Sequence, residues 1–114
     1  MLPIKTKRIY EPAAPEDGFR LLVMRLWPRG VRKEAVSAWQ KELGPSVALL
    51  KGFRSGDVNW EEYRKRYIAE FYAKTDLLDW VRAKAREGPV TLLCGCADES
   101  RCHRSLLREL VLKT

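Results

Sequence analysis

Two short and almost uninterrupted apolar segments constrain the fold of this chain more than any other feature. They are FRLLVMRL at residues 19–26 and VTLLC at residues 90–94. Strands that are buried on both faces have this composition, and such strands occur mainly in parallel sheets. The segments therefore predict an α/β fold with both strands inside a largely parallel sheet.

Weaker patterns supply the rest of the fold. Residues 4–10 have the mixed polarity of an edge strand, which brings the sheet to three or more strands. Apolar periodicity predicts helices over residues 33–43 and 46–54, from Asn59, around Leu77 and from His103. We expect a single α/β domain over residues 1–114, with a small, largely parallel sheet flanked by helices.

Composition excludes several classes of protein. The 114 residues are 46% hydrophobic and 32% charged, which is typical of a globular protein and not of a disordered one. No apolar run approaches the ~20 residues that a membrane-spanning helix needs, so no membrane partner is expected. An odd number of cysteines and a charged N-terminus favour a reducing cytoplasm over export.

Positive charge is concentrated near the start of the chain. The formal net charge is +7, and residues 1–33 hold eight basic residues against three acidic ones. A basic surface of this kind favours an anionic partner such as phosphate, a nucleotide or nucleic acid. A solvated basic face without any partner is an equally acceptable interpretation of the charge alone.

Two loops combine the residues that are best suited to binding or chemistry, and each follows one of the apolar strands. One is RLWPRG at residues 25–30, and the other is CGCADESRCHR at residues 94–104. Ligands bind beyond the carboxyl ends of the strands in open parallel sheets, so two parallel strands would bring these loops to one rim. We expect an anion-binding crevice between the RLWPRG turn and the start of the last helix.

Arginines are the expected anion ligands in both loops. A guanidinium group matches phosphate with paired hydrogen bonds, and the N-terminus of a helix adds a favourable dipole. A tryptophan beside them can stack on a base or simply pack. The predicted anion-binding residues are Arg25, Trp27, Arg29, Arg101 and Arg104.

Candidate catalytic residues lie in the second loop, if chemistry follows binding. They are Cys102, whose thiolate a helix start would stabilise, His103, which would also orient the loop, and Asp98, a general acid or base or else a cap. No metal or cofactor is expected. Cys94 and Cys96 complete a set of zinc-type ligands, but their spacing is not a standard one, and adjacent residues of a helix diverge.

Several strings resemble the YeaO-like branch of the domain-of-unknown-function 488 family. They are residues 7–10 with Pro12, residues 17–20, RLWPRG at 25–30, Trp39 with 43–46, residues 60–67, and Asp98 with His103. The resemblance covers nearly the whole chain. It implies an α/β domain in a bacterial or archaeal cytoplasm, and it implies no particular activity.

Two positions depart from that branch. Met24 stands where its members generally carry an aspartate directly before RLWPRG, so a role for that carboxylate does not carry over. The CHR string at residues 102–104 resembles the longer-chain branch of the family, whereas many YeaO-like members have an Asn-His-Ala type of sequence. Because of this difference, Cys102 is a weaker candidate for an activity common to the branch. The stronger candidates are Arg25, Arg29, Asp98 and His103.

The sequence is compatible with three functions. The leading interpretation is a protein that binds a phosphate-bearing small molecule or a nucleotide in the crevice. The alternative is a nucleic-acid-binding protein that uses the basic N-terminal third and Trp27. The third is an interaction protein without a small ligand. The sequence leaves open whether the chain is an enzyme and which oligomeric state it adopts.

Overall fold

The computed structural model of the chain describes residues 2–96 and 98–113, apart from the side chain of Glu99. This part of the chain contains one four-stranded sheet with the order β1-β4-β2-β3, and every neighbouring pair is parallel. The strands are β1 (Ile4–Arg8), β2 (Phe19–Leu22), β3 (Ala38–Trp39) and β4 (Val90–Cys94). The predicted parallel sheet is confirmed: the two apolar segments form its centre and β1 lies at an edge.

The α-helices of the described residues are α1 (Val47–Ser55), α2 (Trp60–Glu70), α3 (Thr75–Glu87) and α4 (His103–Leu112). Two of them begin at side-chain caps. Ser46 Oγ accepts a hydrogen bond from Leu49 N–H, and Asn59 Oδ1 accepts one from Glu62 N–H. These four helices agree with the sequence prediction. None of the helices that the structure describes has the length and apolar character needed to cross a bilayer.

The helix predicted over residues 33–43 is wrong. In its place, two 3-10 turns (Lys33–Ala35 and Lys41–Leu43) flank β3. Backbone pairing explains the difference, because Ser37 N–H donates to the Arg20 carbonyl over 2.7 Å and Gln40 N–H donates to the Leu22 carbonyl over 3.0 Å. The segment thus completes the sheet beside β2, and this long-range pairing outweighs its local apolar spacing.

The two faces of the sheet are covered differently. All four helices pack on one face, where Leu21, Leu92, Tyr67 and Leu107 are fully buried in the main core. The other face has a smaller cluster that loops cover. It contains Ile9, Leu22 and Leu93, with Met24, Trp27, Val31 and Val36 packed against them. The loop that follows β2 is therefore held against the sheet by its own apolar side chains.

Candidate functional site

The parallel pairing of β2 with β4 brings the two candidate loops together. Leu22 is in register with Leu93, so the chain leaves both strands at the same edge of the sheet. The pairing continues past the strand ends, since Val23 N–H donates to the Leu93 carbonyl over 3.0 Å. The two strands are therefore parallel, as the prediction of a shared rim required.

A cavity of about 600 Å³ lies between these loops. Six of the predicted site residues line it, namely Arg25, Trp27, Arg29, Arg101, Cys102 and His103. Asp98 and Arg104 do not belong to the lining that the described residues form. The cavity is hereafter called the crevice.

The arginines that line the crevice are not equivalent. The Arg25 guanidinium forms an ion pair with Glu42 over 2.6 Å and donates from Nε to the Pro45 carbonyl over 2.9 Å. Arg29 and Arg54 are exposed, and their guanidinium groups have no hydrogen bond or ion pair with any residue that the structure describes. Arg25 thus ties loops together, while Arg29 and Arg54 have free donors at the crevice.

Arg104 lies behind the crevice, almost completely buried at 3% exposure. Its Nη1 donates to the Cys96 carbonyl over 2.8 Å and approaches the Cys94 carbonyl at 3.5 Å. Its buried Nε has no hydrogen-bond partner among the described residues. The structure therefore places this predicted anion ligand beneath the second loop, where it holds backbone carbonyls.

Trp27 is held by packing. Its indole Nε1 donates to the Val31 carbonyl over 2.9 Å, and its ring meets Trp39 edge-to-face with 5.3 Å between the ring centroids. These contacts favour the packing interpretation of Trp27, although part of its surface faces the crevice.

Three thiols and an imidazole form the floor of the crevice. Cys94 Sγ lies 3.5 Å from Cys96 Sγ and 3.8 Å from His103 Nδ1. The other ring nitrogen of His103, Nε2, lies 2.6 Å from the Val23 carbonyl oxygen. A carbonyl oxygen only accepts, so Nε2 carries the proton and Nδ1 presents its lone pair to the thiols.

Hydrogen bonds and burial set the charges of this floor. Hydrogen bonds from the thiols of Cys102 and Cys96 hold the pKa of Cys94 far below its usual value. The hydrogen bond to Cys94 correspondingly raises the pKa of Cys102, and burial lowers the pKa of His103. Cys102, the candidate nucleophile, is only 1% exposed, and its raised pKa disfavours the nucleophilic thiolate.

Asp98 acts as a cap. Its Oδ1 accepts hydrogen bonds from Ser100 N–H over 3.0 Å and from Ser100 Oγ over 2.7 Å, and these bonds lower the pKa of the carboxyl group. The side chain is exposed and begins the 3-10 turn Glu99–Arg101. Of the two alternatives that the sequence left open for Asp98, the structure favours the cap.

The sequence analysis missed Tyr10 and Arg54. Tyr10 lines the crevice and donates from its hydroxyl to the Arg29 carbonyl over 3.3 Å. Arg54 lies in the last turn of α1 and reaches the crevice only because α1 packs beside it. Tyr10 belongs to the string at residues 7–10 that carries the family resemblance, but nothing in that string indicates binding, and no motif includes Arg54. Both residues reach the crevice through contacts between distant segments.

Several known proteins are similar to this chain over nearly its whole length. Residues 4–114 match the family DUF488-N3a, described as the "Active DUF488-N3 subclade". The uncharacterized protein YeaO of Escherichia coli (strain K12) is 36% identical over 108 residues, which are 93% of this chain and 94% of that protein. The uncharacterized protein Rv3073c of Mycobacterium tuberculosis (strain ATCC 25618 / H37Rv) is 30% identical over 110 residues, or 95% and 92%. No solved structure matches significantly.

Proposed function

The chain belongs to the DUF488-N3a family. We propose that its crevice binds the phosphate group of a small molecule, with nucleotides as the ligand class. The RLWPRG turn supplies Arg29, α1 supplies Arg54 and the second loop supplies Arg101. Each of these side chains is exposed.

The charge of the lining carries this proposal. Four arginines line the crevice and no carboxylate does so among the described residues. Arg25 is neutralised by Glu42, whereas Arg29 and Arg54 have no acidic partner among the side chains that the structure describes. Guanidinium groups without a partner are suited to bidentate contacts with phosphate. The start of α4 at His103 adds the positive end of a helix dipole.

The lining of the crevice favours a nucleotide as the ligand over inorganic phosphate. Its aromatic lining consists of Tyr10, Trp27, Phe53 and Tyr63, and a cavity of about 600 Å³ lies within the usual range for small-molecule sites. Among these rings, the exposed Tyr10 offers a surface for stacking a base, and the neighbouring arginines offer donors for its phosphate.

Two observations weaken the nucleic-acid alternative. Lys7 and Arg20 form ion pairs with Asp17, and Arg25 forms one with Glu42, so three of the eight basic residues near the N-terminus are already paired. Trp27 is engaged in packing. Part of the basic charge near the N-terminus is therefore neutralised by ion pairs within the protein.

A thermal-shift panel at matched ionic strength tests the proposal. The probes are chloride, sulfate, inorganic phosphate, adenosine monophosphate, adenosine diphosphate, a short single strand and a short duplex. A ligand at 100 times its dissociation constant adds about 2.7 kcal/mol of stability. We expect a rise in midpoint with phosphate and a larger one with a nucleotide. A rise with the oligonucleotides alone supports the alternative, and no rise with any probe supports an interaction protein.

Substitution of Arg29 separates specific binding from general charge. We expect Arg29→Ala to weaken nucleotide binding by about 1 kcal/mol or more, because a charge-assisted hydrogen bond is lost. Arg32→Ala is the matched control, since Arg32 is also exposed and basic but lies outside the crevice lining. Calorimetric titration of both variants measures the difference, and equal affinities would exclude Arg29 as a ligand.

A further inference from the structure

Four potential metal ligands converge on one point at the floor of the crevice. The Sγ atoms of Cys94, Cys96 and Cys102 and a ring nitrogen of His103 all lie within 4.8 Å of one another. A Zn–S bond of about 2.3 Å gives a tetrahedral site with edges of about 3.8 Å. Two of the observed separations, 3.5 Å between Cys94 and Cys96 and 3.8 Å between Cys94 and His103, are close to this edge.

The local backbone explains how an unusual ligand spacing produces this cluster. Cys94 ends β4, and Cys96 follows after a single glycine. Cys102 has an extended backbone, with φ −133° and ψ 141°, and precedes the first helical residue, His103. Cys102 and His103 are therefore not successive helical residues with diverging side chains, and their donor atoms lie close together.

The histidine is oriented as a metal ligand. Its Nε2 donates to the Val23 carbonyl over 2.6 Å, which fixes the ring and leaves the lone pair of Nδ1 directed at the thiols. Metal-binding histidines commonly donate their second nitrogen to a carbonyl or carboxylate in this manner, and such a contact sets both tautomer and direction.

The buried charge of Arg104 provides an independent indication. This side chain is 3% exposed, and no carboxylate among the side chains that the structure describes forms an ion pair with it. A buried cation is costly unless negative charge lies beside it, and the neighbouring cysteines can supply that charge as thiolates. A divalent ion with three thiolates and a neutral imidazole carries one negative charge, and Arg104 contacts the backbone of two of those cysteines.

We propose that Cys94, Cys96, Cys102 and His103 together bind one zinc ion beneath the crevice. Three thiolates favour zinc over magnesium or calcium, which prefer oxygen ligands. Four protein ligands fill a tetrahedral shell, as in structural zinc sites. The ion fixes the second loop against the end of β4, and Cys102 and His103 serve as ligands and not as nucleophile and base.

Metal content of the full chain tests this proposal. The protein is expressed with zinc in the medium, purified in a reducing buffer without chelator, and analysed by mass spectrometry for bound metals. We expect about one zinc per chain. Cys96→Ser removes a partly exposed ligand outside the helices and strands, so the variant is expected to remain folded by circular dichroism and to lose most of its zinc.

Arg101→Ala is the matched control in the same loop. This variant is expected to keep its zinc while it loses affinity for phosphate, which separates failure of the zinc proposal from failure of the proposed function. Zinc-free protein with three freely titrating thiols, or a disulfide between Cys94 and Cys96 in the reducing buffer, would overturn the zinc site.

Replacement of zinc by Co²⁺ needs no variant. Tetrahedral cobalt with thiolate ligands gives intense visible bands and a sulfur-to-cobalt charge-transfer band. We expect both in the wild-type protein after metal exchange. Weak, octahedral-type absorption at one equivalent of Co²⁺ would contradict the Cys₃His assignment.

Discussion

Two buried polar clusters on the same sheet differ in how completely their charges are satisfied. At the start of β2, Asp17 is 2% exposed, pairs with Lys7 and Arg20, and accepts a hydrogen bond from Ala14 N–H. Beyond the end of β4, the buried Arg104 has an unpartnered Nε and no ion pair within the described part of the chain. The fold itself supplies every partner named for Asp17, whereas the described residues supply no acceptor for Arg104 Nε and no carboxylate for its charge.

The difference separates a cluster whose charges the fold itself satisfies from one for which we propose binding partners. Buried polar groups in proteins are almost always hydrogen-bonded, so an exception needs an explanation such as a ligand or an ion. Around Asp17 the explanation is already present in the neighbouring side chains. Around Arg104, the thiolates of the proposed zinc site supply the negative charge, and the proposed phosphate binds on the other side of those cysteines, in the crevice.

The largest expected effect concerns Asp17. Replacing it with alanine leaves the buried Arg20 without its carboxylate, and we expect a loss of about 3 kcal/mol in unfolding free energy. Asp79→Ala is the control, because the exposed pair of Asp79 with Arg82 contributes about 1 kcal/mol at most. Urea denaturation measures both variants. If the folded Asp17→Ala protein also loses phosphate binding, the two clusters are not independent.

The pH dependence of stability tests whether the charge of Asp17 stabilises the fold. Burial alone raises the pKa of Asp17, but the hydrogen bonds from Ala14, Lys7 and Arg20 outweigh it and hold the pKa below its usual value. The carboxylate therefore stabilises the fold above the unfolded-state pKa of about 3.9, and this contribution is lost as pH falls through the lower folded-state pKa.

Denaturation of wild type and Asp17→Asn at several pH values tests this sign. We expect a constant difference in unfolding free energy from about pH 7 to about pH 5, and a smaller one below about pH 4. A difference that stays the same at the lowest pH would show that the charge of Asp17 is not responsible.

The smallest expected effect concerns Met24, which lines the crevice next to Gly95. Met24→Asp places a carboxylate beside the proposed anion site, and we expect phosphate binding to weaken by roughly 0.5–1 kcal/mol through repulsion. Met24→Leu controls for the change of shape. Equal or stronger phosphate binding in the aspartate variant would contradict an anion site beside Met24.

The sequence predicted the centre of the fold because the relevant signals are local and strong. The residues of β4 are all buried, as expected for an apolar run, and Ser46 and Asn59 cap helices within three residues of themselves. The helix predicted over residues 33–43 failed because β3 is only two residues long and is defined by its pairing with β2. Periodicity does not report such a contact.

The candidate site could be predicted in part for the same reason. Both loops were recognised from their arginines and cysteines, and parallel strands brought them together. Three other features depend on tertiary packing and have no local signal. Arg104 lies outside the crevice lining, Arg25 pairs with Glu42, and Arg54 lines the crevice although it belongs to α1. The convergence of the four potential metal ligands depends on the extended backbone of one residue, Cys102, which the sequence does not reveal.

A nuclear magnetic resonance titration of the wild-type chain with adenosine monophosphate at constant ionic strength tests the central claim most directly. The account predicts saturable shifts of backbone amides around the crevice, at Arg29, Arg54, Gly95 and Arg101, and none around Asp17 and Arg20. Shifts spread over the exposed lysines, or no saturable shift at millimolar nucleotide, would contradict a phosphate-binding site at this edge of the sheet.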